Sequence, residues 1–290
     1  MISLTFISST RLSGLRSPAF KSCRRSKNSF AAILIALAGA FALLPQAMAS
    51  CGPYSVAYYE YGSFYFKTDQ GVYTGIDKAL IEALAQRSGC TLNATLDSRA
   101  RTWSRLEAGT LAMTVSAIDT PERQKFAEFL PYFKSRNYVL LKNELAKEVP
   151  TFAAFDANPK LRLAVVKAFK HGPAVDAWVD NLRALGRVDE YADAEVVARV
   201  FARNRADAFL AEVGVWGPLL ARNELENAVK PLDWFPNDSF VAGMALSRQL
   251  VSAPDALRLR TAIKAMQKDG SLEKIYLRFM DPEAAKAALP

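Results

Sequence analysis

Two successive series of strand-like and helix-like segments, with a polar stretch between them, restrict this chain to an α/β architecture. Residues 54–59 form an aromatic, strand-type run. Ile76, Leu80, Ile81 and Leu84 then recur at helical spacing, in a segment that Gly89 ends. A short helical segment at 103–108, a strand at 111–115, a helix beginning at Pro121 and a strand at 138–141 complete the first series. After the polar residues 142–150 comes a strand at 161–166. Val175, Trp178, Leu182 and Leu185 mark one helix face, and Val196, Val197, Val200 and Phe201 mark another. Residues 206–211 read as a buried strand and 240–246 as a last strand. Residues 255–268 and 271–279 read as closing helices, and 281–290 as a frayed tail. Strands alternating with helices predict an α/β fold. Two such series joined by two strand-like crossings predict two lobes.

The formal charge of +8 would suit a nucleic-acid partner, but its location argues otherwise. Residues 1–49 hold Arg11, Arg16, Lys21, Arg24, Arg25 and Lys27 and no acid. The remainder carries 31 basic against 29 acidic residues, with no polyanion-binding stripe. A basic start, an apolar run over 30–44 and Ala47-Met48-Ala49 predict a secretory signal peptide over 1–49, cleaved after Ala49. The apolar run is shorter than the roughly 20 residues a membrane-spanning helix needs. The mature protein is therefore expected to be exported and soluble.

Cys51 and Cys90 are the cysteines left after cleavage. They flank one βα unit whose ends can come together, so a disulfide is expected in an oxidising compartment. The alternative is a lipidated Cys51, because Met48-Ala49-Ser50-Cys51 loosely resembles a lipobox. Cysteine and histidine spacing predicts no metal site, and no cofactor is expected.

Locally, the segment from Ser116 through Ile118 to Thr120-Pro121-Glu122-Arg123 carries the most chemistry. Thr120 has the character of an N-cap and Pro121 that of a first helical residue. Arg123 then falls in the first turn, where guanidinium and backbone N–H groups can meet one anion.

Thr-Pro-Glu-Arg followed by Phe129-Leu130-Pro131-Tyr132 is similar to a signature of the extracytoplasmic solute-binding proteins of family 3, which serve polar amino-acid ABC transporters. Gly71-Val72-Tyr73-Thr74-Gly75-Ile76-Asp77, Leu106-Glu107-Ala108-Gly109 and Lys268-Asp269-Gly270 resemble further elements of that family, in order and over nearly the whole mature chain. The resemblance implies an α/β, two-lobed, periplasmic-binding-protein-like type II fold with two crossing strands as hinge. Lobe 1 is expected at 51–141 plus 243–290 and lobe 2 at 142–242, with the ligand held between them.

The same resemblance implies a site. Arg123, with Ser116 and Ile118 at the strand-to-helix corner, would hold a ligand carboxylate. Ile118 stands where the family often has threonine. In Asp207-Ala208-Phe209-Leu210-Ala211-Glu212, Glu212 falls where the family has the acid that holds a ligand ammonium. Arg99 replaces a stacking aromatic and could meet a second acidic group, or be a solvated loop arginine. Lys167-Ala168-Phe169 replaces a Gly-Thr clamp, which places Phe169 at the site. Tyr59, Glu60, Tyr61 and Phe64 are expected to wall the cleft, and His171, the single histidine, to lie in a surface loop.

The expected function is that of a periplasmic binding protein, monomeric and not an enzyme. It captures a small polar ligand, amino-acid-like or carboxylate, and passes it to an inner-membrane ABC permease. Two alternatives stay open: an accessory or sensor-associated protein on the same fold, and a dehydratase-type enzyme. For the latter, Glu212 and Arg99 would do acid–base work.

Overall fold

The computed structural model describes residues 50–290; the leader expected over 1–49, with its cleavage point, lies outside them. Strand β1 (Cys51–Tyr58) is followed by a short hairpin, β2 (Phe66–Lys67) and β3 (Tyr73–Thr74), and by helix α1 (Ile76–Ser88). Ile76, Leu80, Ile81 and Leu84 are buried along one face of α1. The helix stops at Gly89, whose positive φ of 69° lets its N–H reach the Ala85 carbonyl. Then come β4 (Cys90–Leu96), α2 (Arg99–Glu107), β5 (Met113–Ile118), the single turn α3 (Pro121–Gln124) and the long β6 (Ala127–Lys142). The helix expected from Pro121 is therefore one turn. The strand expected at 138–141 is the end of a strand that begins eleven residues earlier.

The second series is α4 (Phe152–Ala157), β7 (Leu163–Val166), α5 (Pro173–Ala184), β8 (Val188–Tyr191), α6 (Ala194–Ala202), β9 (Ala208–Glu212), α7 (Val213–Arg222) and β10 (Val229–Leu232). Strand β11 (Ser239–Ser247) and helices α8 (Ala253–Lys268), α9 (Ser271–Tyr276) and α10 (Pro282–Ala287) close the chain. The end is not frayed. Ala285 and Ala288 are buried, and the Ala288 carbonyl accepts from the Lys134 N–H at 2.8 Å. Leu185, expected on a buried face, is exposed just past the end of α5.

The strands run in the order β4-β1-β5-β11-β6-β9-β7-β8, with β10 also on β6. Parallel β4-β1-β5 and parallel β9-β7-β8 form the cores of two lobes, and antiparallel β6 and β11 link them. Residues 127–136 of β6 pair with β11; from Asn137 onward β6 pairs with β9 and β10 instead. This change of partner makes β6 the strand that crosses between lobes, and the chain returns from β10 into β11, which runs beside the first part of β6.

The lobes are in contact. Gly62, at φ 49°, sits so close to α7 that a Cβ there would come within 2.5 Å of the Val215 Cα. The Ser63 N–H donates to the Gly214 carbonyl at 3.0 Å across the same seam. One apolar cluster runs from Leu80 and Met266 through Phe64 and Val215 to Phe209 and Phe201.

Cys51 and Cys90 are bonded to each other, with Cα atoms 4.4 Å apart where β1 and β4 begin side by side. The bond uses the sulfur that lipidation would need. Closing a loop of 39 residues contributes about 4 kcal/mol in the chain-entropy account. Reduction is therefore expected to lower Tm by about 10 °C. Thiol titration of denatured, unreduced protein should find none free, and two free thiols would refute the bond.

Candidate functional site

Four chain segments meet where the lobes face each other: the loop after β1, the end of β4 with the start of α2, the loop after β7, and the loop from β8 into α6. They enclose a cavity of about 300 Å³, whose lining includes Tyr59, Glu60, Tyr61, Arg99 and Phe169. Five residues expected at the site thus line it.

Arg99 dominates the cavity. It is the first residue of α2, directly after the N-cap Ser98, and is only 2% exposed. Its guanidinium lies between two rings, 4.4 Å from the Tyr59 centroid and 4.3 Å from that of Phe169. Tyr59 belongs to the first lobe and Phe169 to the second. Such cation–π contacts offset part of the desolvation of the charge. One long hydrogen bond, Nη2 to the Ser116 carbonyl at 3.4 Å, is made; Nε and Nη1 have no partner. The acids around the cavity are engaged elsewhere. Asp97 accepts from Arg101 at 2.6 Å and Arg105 at 2.9 Å, Glu60 from the Tyr73 hydroxyl, and Asp193 caps α6. A buried donor without a partner costs roughly 1–3 kcal/mol. The alternative of a solvated loop arginine does not hold, because α2 starts earlier than expected and carries Arg99 inward.

The other five expected site residues lie behind this lining. Ser116 takes a φ of 46° inside β5, which bends the strand end. Its Oγ donates to Asp77 at 2.8 Å, its N–H to the Tyr132 hydroxyl at 2.6 Å, and its carbonyl accepts from Tyr59 at 2.7 Å. Ser116 therefore aims a carbonyl at Arg99 rather than offering a hydroxyl to the cavity. Asp77, in the first turn of α1, also accepts from Tyr132 at 2.5 Å; burial pushes its pKa up to about 7. Asp77 and Tyr132 carry the strained corner.

Arg123 is 8% exposed and stacks on Trp103 at 3.6 Å. Its Nη1 donates to the Ile118 carbonyl at 2.9 Å, and its Nη2 crosses to the Ala168 carbonyl of the second lobe at 3.1 Å. Ile118 thus contributes its carbonyl as an acceptor for Arg123. Ala168 presents its oxygen from an unusual φ of 61°. Burial, and after it the charge of Arg99, push the Arg123 pKa down, so two like charges share the interior.

Glu212 ends β9 and is 1% exposed. It accepts from the Tyr61 hydroxyl across the lobe seam, and burial raises its pKa to about 7. It does not line the cleft cavity, because Tyr61 stands between. Phe64, expected on the cleft wall, packs instead against Phe133 at 4.6 Å. His171 is not on the surface: it is 4% exposed, with Nδ1 3.2 Å from Asp176 and its carbonyl accepting from Asn137 at 2.7 Å. The loop after β7 folds inward and carries it there.

The family model of the bacterial extracellular solute-binding proteins, family 3, matches residues 55–282. The chain belongs to that family. No curated protein matches the sequence. Among solved structures, the chain is similar to a histidine kinase sensor domain with similarity to periplasmic binding proteins. That likeness has TM-score 0.66 and 15% identity, over 80% of this chain and 97% of that one. It is similar as well to the arginine-, lysine-, histidine-binding protein ArtJ from Geobacillus stearothermophilus (TM-score 0.63, 18% identity, 79% and 95% covered). A third is the ancestral amino acid-binding protein AncCDT-1, a precursor of cyclohexadienyl dehydratase (0.62, 21%, 78% and 94%). At these identities the structures establish the two-lobed fold. The family establishes solute binding.

Proposed function

We propose that this family 3 protein is a periplasmic, monomeric carrier of a small amino-acid-like or carboxylate ligand, which it hands to an ABC-type permease. Arg99 carries the proposal. It is a buried guanidinium in the cleft with two open donors and no carboxylate among the described residues paired to it. An anion entering the cavity would take Nε or Nη1 of Arg99 and relieve the repulsion that Arg123 feels from it. A ligand carboxylate could also replace the Ala168 carbonyl as acceptor for Arg123. The lobes are taken to divide where β6 changes partners, into 51–136 plus 239–290 and 137–238, and to hinge on β6 and on the return from β10 into β11. Closure would be favoured by a ligand that touches both.

No cofactor enters this mechanism, and no nucleophile–base pair for an enzyme is invoked. A thermal-shift panel of amino acids, dicarboxylates, amines and sugars tests it. Carboxylate-bearing compounds are expected to raise Tm, since a ligand at a hundred times its Kd adds about 2.7 kcal/mol. Stabilisation by sugars alone would overturn the proposal.

One observation favours a second reading, a sensor-associated protein with the same fold. The chain's own groups already bridge the lobes: Arg123 to Ala168, Tyr61 to Glu212, and Arg99 between Tyr59 and Phe169. A panel in which no compound shifts Tm would support it.

A further inference from the structure

The chain itself closes off Glu212 from the cleft. Glu212 accepts from the Tyr61 hydroxyl and from Ser135, is 1% exposed, and does not line the cleft cavity. The Tyr61 ring that covers it is packed among three others, with centroids 5.9 Å from Tyr59, 5.4 Å from Phe64 and 5.3 Å from Phe169. Close packing on several sides makes that ring a fixed wall. The acids that do line the cavity are engaged. Asp97 holds Arg101 and Arg105, Asp193 accepts from the Val196 N–H at the start of α6, and Glu60 accepts from the Tyr73 hydroxyl at 2.8 Å. Tyr59, Tyr61, Phe169, Leu96 and Val166 supply the apolar part of the lining.

We infer that the cleft selects a monocarboxylate with an apolar body and no α-ammonium group, and that Tyr61 sets this preference. The inference rests on the reading of Arg99 as the carboxylate anchor. An α-ammonium lies beside its own carboxylate, so a ligand held on Arg99 would bring a second cation next to the guanidinium, where like charges repel. The rings that could receive it, those of Tyr59 and Phe169, already stack on Arg99. Burying a charge without a partner is costly, whereas an apolar body gains by leaving water for these walls. A second carboxylate would face Glu60, Asp97 and Asp193, which favours one acidic group over two.

Calorimetric titration at pH 7 with matched pairs tests this: 3-phenylpropionate against L-phenylalanine, and 4-methylvalerate against L-leucine. In each pair the compound lacking the amino group is expected to bind at least tenfold more tightly. In Tyr61→Ala, whose folding circular dichroism verifies, Glu212 is opened to the cleft and that ratio should fall at least fivefold. Adding Glu212→Gln to Tyr61→Ala should restore it. If Tyr61→Ala does not fold, the pairs measured on the unmodified protein decide alone. Equal or tighter binding of the amino acids overturns the inference while leaving Arg99 as anchor; loss of that binding in Glu60→Gln would place the ammonium on Glu60. A ratio unchanged in folded Tyr61→Ala overturns the role of Tyr61. Binding of neither member of either pair also overturns the inference, and the anchor reading falls with it only if no other carboxylate raises Tm.

Discussion

Asp77→Ala is expected to lower unfolding stability by about 4 kcal/mol, read from urea denaturation. Two buried hydroxyls, Ser116 Oγ and Tyr132 Oη, donate to this one carboxyl group, and each loses its acceptor. Stranding a buried polar group costs roughly 1–3 kcal/mol. The strained φ of Ser116 also loses the contact that holds it. A loss below about 1 kcal/mol would mean the corner is supported elsewhere.

The same group sets a pH dependence. Burial raises the pKa of Asp77 and of Glu212 to about 7 in the folded protein, from ordinary values of 3.8 and 4.5. In the window between about 4 and 7 the folded chain therefore binds more protons than the unfolded one. Stability is full below the unfolded values and falls as pH rises toward 7. For Asp77 alone the loss is up to about 4 kcal/mol, at 1.36 kcal/mol per unit. Buried His171 has a lowered pKa and acts in the opposite direction below 6.5, but it is one group against two. Tm should thus drop between pH 5 and pH 8, and Asp77→Asn should flatten the slope. A Tm that climbs over this range, or a slope untouched by the variant, contradicts the assignment.

The parts of this protein legible in the sequence are those governed by local rules. Apolar spacing marked α1, and Thr120 with Pro121 marked the corner after β5, where the Thr120 hydroxyl does accept from the Arg123 N–H. Thr120 and Pro121 could not show how short α3 is, because the long β6 takes over at Ala127 and its pairing with β11 is a contact between distant segments. Strands β4, β8 and β10 went unmarked, since two are half-polar and gain their order from parallel neighbours.

Site residues followed the same division. Arg99, Tyr59, Tyr61 and Phe169 were named from their positions, but which of them meet depends on packing between lobes. The buried role of Asp77 had one available signal: an acid in the first turn of a helix, beside Ile76 and on the same face as Leu80 and Ile81 one turn later. That signal reads equally as a macrodipole partner. The positive φ of Ser116 and Ala168 left no trace, because neither residue type favours it.

Arg99→Ala is expected to separate ligand binding from folding. A structural arginine is held by several acceptors, as Arg187 is by the carbonyls of Phe155, Asp156, Asn158 and Leu161. Arg99 has one long bond and two open donors. Removing it deletes an unsatisfied buried charge along with two ring contacts, so stability should change by no more than about 1 kcal/mol. Binding should change far more. Charged hydrogen bonds contribute roughly 1.5–3 kcal/mol each, so losing both open donors should weaken the best carboxylate ligand at least a hundredfold, about 2.7 kcal/mol. Calorimetry with the compound giving the largest thermal shift measures this. Arg99→Lys should rescue little, because an ammonium cannot lie flat between Tyr59 and Phe169 and still present two donors. Affinity within threefold of the unmodified protein, with stability lost instead, would make Arg99 a bracing residue and return the anchor role to Arg123.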